Sequence, residues 1–199
     1  MSERLHVVTG CMFAGKTTEL MRLGKREEFA GNSVMAFKPS NDTRSKEIMN
    51  HNGERLQAIQ IDFQQPEQIF NYLSERISAI LIDEAQFFGS DLPDVVKVIL
   101  RNGIRVYLAG LQNDFRHEGF GPMPALLGMA DKITVLYAVC TYDFDGKVCG
   151  MEASRTQRLI NGQYPSWDEP VILIGASESY APRCANHHIV LNSPYKKLW

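Results

Sequence analysis

The 199 residues, 44% apolar and 22% charged, suffice for one hydrophobic core with an appendage. A formal net charge of −2 leaves no surplus of Lys and Arg from which to build a polyanion-binding face, so nucleic acid is not expected as a partner. The opening MSERLHVVTG has no secretory pattern, and no run approaches the ~20 apolar residues that span a bilayer, so the expectation is a cytoplasmic protein without membrane contact.

In chain order, the first β-rich run is LHVVT (5–9). It leads into TGCMFAGKTTEL, where Gly10, four residues, and then Gly15-Lys16-Thr17 make the pattern of a phosphate-binding loop. Segment 16–30 reads as a helix with Leu20, Met21 and Leu23 on one side. SVMAF (33–37) is the next strand, and PEQIFNYLSERI reads as a helix with Pro66 at its first position. SAILI (78–82) follows, ending in Asp83-Glu84, and then DLPDVVKVILRNG, a helix stopped by Gly103. The runs IRVYLA (104–109) and KITVLYAV (132–139) complete a βα alternation. Near-continuous apolar strands of this kind predict an α/β fold with a mostly parallel sheet covered by helices on both faces. After Val139 the texture changes to Gly, Pro, Asp, Tyr and Cys, which places a boundary between a 1–139 nucleotide-binding domain and a 140–199 second domain.

Glycines at 10 and 15 permit the backbone to bring successive N–H groups onto phosphate oxygens at the positive end of the following helix. The cradle is Gly10, Cys11, Met12, Phe13, Ala14, Gly15, Lys16 and Thr17, with Lys16 reaching the β and γ phosphates and the Thr17 hydroxyl on Mg²⁺. ATP with Mg²⁺ is therefore expected. Asp83, at the end of an apolar strand, is placed as the second Mg²⁺ partner, and Glu84 beside it as an acceptor of a proton from an attacking hydroxyl. Those residues alone do not name the nucleophile: water would make an ATPase, an alcohol a kinase. DEAQ is also similar to a helicase motif, but a second motor domain and a basic track are missing. A nucleotide-switched nucleic-acid binder is disfavoured by the same charge balance. Cys140, Cys149 and Cys184 cluster late with His187 and His188, which in a reducing compartment suggests a metal more than disulfides.

GCMFAGKTTEL, NDTR (41–44), IDEAQFF, LQNDFRHEGFG (111–121), ASRTQRL (153–159) and ILIGASESYAPRC (172–184), in this order, resemble the type II thymidine kinases, the cytosolic family that includes the human enzyme. The resemblance runs from about Leu5 to His188. It implies transfer of the ATP γ-phosphate to the 5′-hydroxyl of thymidine, with deoxyuridine also accepted, inhibition by thymidine triphosphate, and a homotetramer. Glu84 becomes the general base, and Asp42, Arg44 and Gln86 join the ATP and Mg²⁺ set. Phe87, Phe115 and Phe120 match aromatic positions around the nucleoside, Met12 and Leu111 apolar ones. A long loop of the second domain, about Thr156 to Tyr180, is implied to cover the nucleoside. Its backbone at Val171, Ile172, Leu173, Ile174 and Gly175 would meet the base edge, with Thr156 near the base methyl and Tyr180 at the substrate.

The chain departs from the family in its second domain. Members usually carry Cys-x-x-Cys and later Cys-x-x-Cys or Cys-x-x-His, but here six extra residues separate Cys140 from Cys149. The expected structural Zn²⁺ set is Cys140, Cys149, Cys184 and His187, with Asp143 open as a replacement for Cys140 and His188 for His187. Three buried thiols without metal are the alternative. Cys11 stands where the family often has proline or another small residue, and no chemistry is assigned to its side chain.

Overall fold

A computed structural model describes residues 4–41, 47–49, 53–172 and 178–195. Asp42, Arg44, Leu173, Ile174 and Gly175 lie outside the described residues. The chain divides into two compact units: Met1–Thr9, Gly15–Gln112 and Phe120–Leu136 form the first, and Gly10–Ala14, Asn113–Gly119 and Tyr137–Trp199 the second.

The first unit is organised by apolar strands. β1 (Leu5–Gly10) is buried along its whole length and is followed by α1 (Lys16–Phe29) and β2 (Val34–Pro39). A two-residue pair, β3 (Ile48–Met49) with β4 (Arg55–Leu56), precedes β5 (Ile59–Ile61). Then come β6 (Ala79–Ile82), α2 (Leu92–Arg101), β7 (Arg105–Gly110), α3 (Met123–Met129) and β8 (Lys132–Leu136). The sheet order is β5-β2-β6-β7-β1-β8, and the β5/β2, β2/β6, β6/β7 and β7/β1 pairs are parallel. This is the α/β architecture expected from the strand composition.

Strand alternation feeds two cores. Leu5, Val7, Ile80, Ile82, Val106 and Leu108 face a cluster completed by α2 and α3, through Val95, Val96, Ile99 and Leu126. Val8, Leu81 and Ala109 face the other way, onto Leu20, Met21 and Leu23 of α1. The helix approaches closely because residue 24 is glycine: a Cβ there would stand 2.6 Å from Leu81 Cδ1. α2 buries Leu92, Val95, Val96 and Ile99, an i, i+3, i+4, i+7 stripe, and Gly103 just past it takes φ 80°.

Two sequence expectations change. The helix expected from Pro66 is a short 3₁₀ segment, Pro66–Tyr72, in which the buried residues are Pro66 and Ile69. Their three-residue spacing suits three residues per turn, and the apolar face stops before a longer helix can form. The run 132–139 is two strands: β8 ends at Leu136, and β9 (Ala138–Val139) pairs antiparallel with β12 (Glu152–Ala153) in the second unit. That unit also contains β10 (Asp143–Phe144), β11 (Lys147–Val148) and the longer hairpin of β13 (Arg155–Ile160) with β14 (Glu178–Arg183). Among the described residues, no helix is long and apolar enough to cross a membrane.

Candidate active site and metal cluster

β1 runs into Gly10 at φ 148°, and the chain reaches Lys16, the first residue of α1, through Phe13 at φ 66° and Gly15 at φ 85°. Left-handed backbone in a strand-to-helix loop is the geometry from which an anion-binding concavity of N–H groups is made. Open space surrounds the place of a Cβ at Gly15, so dihedral angle and not crowding calls for glycine there. Within the second unit, the Met12 N–H donates to the Thr156 hydroxyl at 3.0 Å and the Cys11 thiol donates to the Ala153 carbonyl at 3.1 Å. Thr156 is thus a support of the phosphate loop's backbone.

In the first unit the carboxylates stand at the end of β6. The Thr17 hydroxyl donates to Asp83 Oδ2 at 3.1 Å, and the Glu84 N–H donates to Asp83 Oδ1 at 3.0 Å. Burial, followed by the charge of Glu84, pushes Asp83 up to about 7, against the pull of the Glu84 N–H, the Thr17 hydroxyl and the Lys16 charge. A carboxylate so placed, bonded to a hydroxyl and beside a second carboxylate, fits a divalent cation, whose charge would take the proton's place.

Glu84 adopts φ 51°, a left-handed backbone that costs a residue with a Cβ about 1–2 kcal/mol. Its carboxylate is held by Gln86, whose Nε2 donates to Glu84 Oε2 at 2.5 Å while its Oε1 accepts the Leu111 N–H at 2.9 Å. Gln86 is 2% exposed, and both ends of its amide are engaged. Two glycines make its seat. A Cβ at Gly110 would stand 2.9 Å from Gln86 Oε1, and one at Gly121 would stand 2.2 Å from the Gln86 carbonyl oxygen. Phe87 and Phe120 meet edge-on at 5.5 Å between ring centroids, and Leu111 is buried.

In the second unit, the loop 113–119 is folded around Asp114. Its carboxylate accepts the N–H groups of Arg116 and Glu118 at 2.8 and 3.1 Å, and the Arg116 guanidinium through Nε and Nη2 at 2.9 and 2.8 Å. Arg116 therefore holds its own loop. Phe115 is only 3% exposed, and the Arg158 guanidinium lies 3.8 Å from its ring centroid. Arg158 Nη1 donates to the carbonyls of Pro170 and Val171, while Ile172 is exposed. Tyr180 pairs with Arg158 across the β13–β14 ladder.

The metal-ligand candidates meet in the same unit. The ligand atoms of Cys140, Cys149, Cys184 and His187 all lie within 4.8 Å of one another. His187 Nδ1 is 3.7 Å from Cys140 Sγ and 3.4 Å from Cys184 Sγ. With Zn–S near 2.3 Å and Zn–N near 2.0–2.1 Å, a tetrahedral site has sulfur-to-nitrogen edges of about 3.6 Å, so the four residues fit zinc. Burial acts to raise the Cys140 thiol, but the N–H groups of Cys184 and Tyr142, with His187, outweigh it and bring it down to about 6. Tyr142 stacks on the His187 ring at 4.2 Å and 13°, fixing the plane of the imidazole.

The six extra residues are a hairpin. Asp143 and Phe144 pair with Val148 and Lys147 around Asp145 and Gly146, at φ 51° and 79°, the dihedral signs of a type I′ turn. Cys149 N–H donates to the Tyr142 carbonyl at 2.8 Å, so the ladder brings Cys149 back beside Cys140. Asp143 stands outside the cluster, its Oδ1 accepting the Gly146 N–H at 2.8 Å. His188 is also engaged elsewhere, Nε2 lying 2.8 Å from the Phe115 carbonyl.

The Asp-Gly pair was a readable hairpin signal that the cysteine spacing obscured. Nothing local in the sequence marked the roles of Gln86, Tyr142 and Arg158, because each depends on contacts made in the folded chain. A family model described as thymidine kinase matches residues 3–188, nearly the whole chain.

Proposed function

The chain belongs to the thymidine kinase family, ATP-dependent enzymes that transfer phosphate to thymidine, and we propose that it delivers the ATP γ-phosphate to the 5′-hydroxyl with Glu84 as general base. The observation that carries this reading is the adjacency of Glu84, oriented by Gln86, to an Asp83 already bonded to the Thr17 hydroxyl. Lys16 and the loop N–H groups hold the phosphates, and Thr17 with Asp83 would hold Mg²⁺, which when bound neutralises charge on the phosphate oxygens. Glu84 takes the hydroxyl proton as the O5′–Pγ bond forms. The bond from Pγ to the bridging oxygen then breaks, and its electron pair leaves on ADP. Keeping water from the same base limits hydrolysis of ATP.

Met12, Phe87, Leu111, Phe115, Phe120, Thr156, Tyr180 and the backbone at Val171 and Ile172 are proposed for the nucleoside on the strength of the family resemblance. The same resemblance supports deoxyuridine as an accepted substrate, thymidine triphosphate as inhibitor, a homotetramer and a cytoplasmic location. The fit of Cys140, Cys149, Cys184 and His187 supports a zinc ion that is structural, since the transfer calls only for Mg²⁺. Glu84→Gln tests the assignment of the base. Turnover should fall roughly 10²–10⁴-fold, with little change in KM for ATP. Near-normal turnover in a folded variant would show that another group removes the proton.

A further inference from the structure

Arg158 is fully buried, yet among the described residues its charge meets carbonyls and a ring, not a carboxylate. Nη1 is used by Pro170 and Val171, but Nε and Nη2 are buried with no acceptor among the described residues. Buried guanidinium donors are normally paired, so a side chain in this state is poised for an acceptor that the described residues do not provide.

Its neighbours say where that acceptor comes from. Arg158 lies two residues after Thr156 on β13, so both project from one face of the hairpin, and it is directly cross-strand from Tyr180. It covers the Phe115 ring at 3.8 Å and bonds the Val171 carbonyl at 3.1 Å. Phe115, Thr156, Tyr180 and Val171 are four of the residues proposed for the nucleoside: Arg158 touches Phe115 and Val171, lies cross-strand from Tyr180, and shares a strand face with Thr156.

We infer that Arg158 is a positioning residue of the nucleoside site: it sets Phe115 and the Pro170–Val171 backbone, and its Nε–H and Nη2–H are paired by carbonyl oxygen only when a pyrimidine nucleoside is bound. This rests on the thymidine reading. Lysine in its place would keep the charge but lose the planar fork that serves the ring and two carbonyls at once.

The test is steady-state transfer by Arg158→Lys, together with zinc content and the thymidine-induced shift in melting temperature. KM for thymidine should rise about tenfold or more, KM for ATP should stay within about twofold, the zinc should be retained, and the thymidine-induced shift should shrink. A folded variant with thymidine KM within about twofold of the unaltered protein overturns the inference. So does a rise shared equally by both substrates. Should Arg158→Lys not fold, NMR of the unaltered protein decides: thymidine should slow exchange of the Arg158 Nε–H, and unchanged exchange at saturation overturns the inference. If the unaltered protein phosphorylates no pyrimidine nucleoside, the reading beneath the inference fails, and the inference with it.

Discussion

Gln86→Met removes an amide from a buried seat while nearly preserving its volume. The Leu111 N–H, now bonded to Gln86 Oε1 at 2.9 Å, would be left without its acceptor, which costs about 1–3 kcal/mol. The Glu84 carboxylate would lose its bond to Nε2 on a backbone already strained at φ 51°. A catalytic group misplaced by about 1 Å loses on the order of 10²-fold in rate, so kcat should drop about 10–100-fold. Label transfer at saturating ATP and thymidine reads the rate, and urea unfolding reads the stability. A role for Gln86 exerted through Glu84 predicts that the same change in a Glu84→Gln background lowers kcat little further. A kcat within about twofold of the unaltered protein, alongside the expected loss of stability, would refute the positioning role and leave Gln86 as packing.

Further predictions concern the metals. The proton that burial keeps on Asp83 competes with Mg²⁺, so the Mg²⁺ concentration for half-maximal turnover should rise roughly tenfold per unit as pH falls below about 7, and level off at higher pH. A flat dependence would contradict this. The same raised carboxyl binds its proton more tightly folded than unfolded, so the metal-free protein should lose stability as pH climbs from about 4 to about 7. Cys184→Ser should abolish tight binding of one zinc per chain, measured by elemental analysis. Excising 143–148 leaves Cys140-Thr-Tyr-Cys149, the usual family spacing, and keeps Tyr142 on His187. Since the removed residues are all exposed, zinc should be retained with stability altered by about 1 kcal/mol or less. Loss of the metal would mean that the hairpin itself shapes the site.

Features set by neighbouring residues were legible in the sequence. The strand-loop-helix at 5–29 follows from apolar residues, two glycines and a short spacing, and Asp83 is marked by the apolar run it ends. The cysteine and histidine cluster was visible as a grouping, but choosing Cys140 over Asp143 required the pairing of β10 with β11. The 3₁₀ character of Pro66–Tyr72 was hidden because Ile69, Phe70 and Tyr72 look alike to a helical pattern until burial separates them. α3, with Pro124 and Gly128 inside seven residues, is not among the expected elements; it is a helix whose Met123 and Leu126 reach the sheet's core. Gln86 enters the sequence reading only through the resemblance, in the ATP and Mg²⁺ set; its bonds to Glu84 and Leu111, and the contacts of Arg158, were illegible for a different reason. A buried polar side chain is defined by its partners, and Leu111 and Phe115, Pro170 and Val171 lie 25 residues from the one and 12 to 43 from the other along the chain.

A nucleoside hydroxyl, not water, is proposed to receive the γ-phosphate. γ-Labelled ATP with Mg²⁺ should be offered thymidine, deoxyuridine, deoxycytidine and purine deoxynucleosides separately, beside a reaction with no acceptor. Label in thymidine monophosphate, weaker label with deoxyuridine, and little free phosphate without acceptor are the predicted results. Free phosphate released at the same rate whatever nucleoside is present would contradict the account and make water the nucleophile.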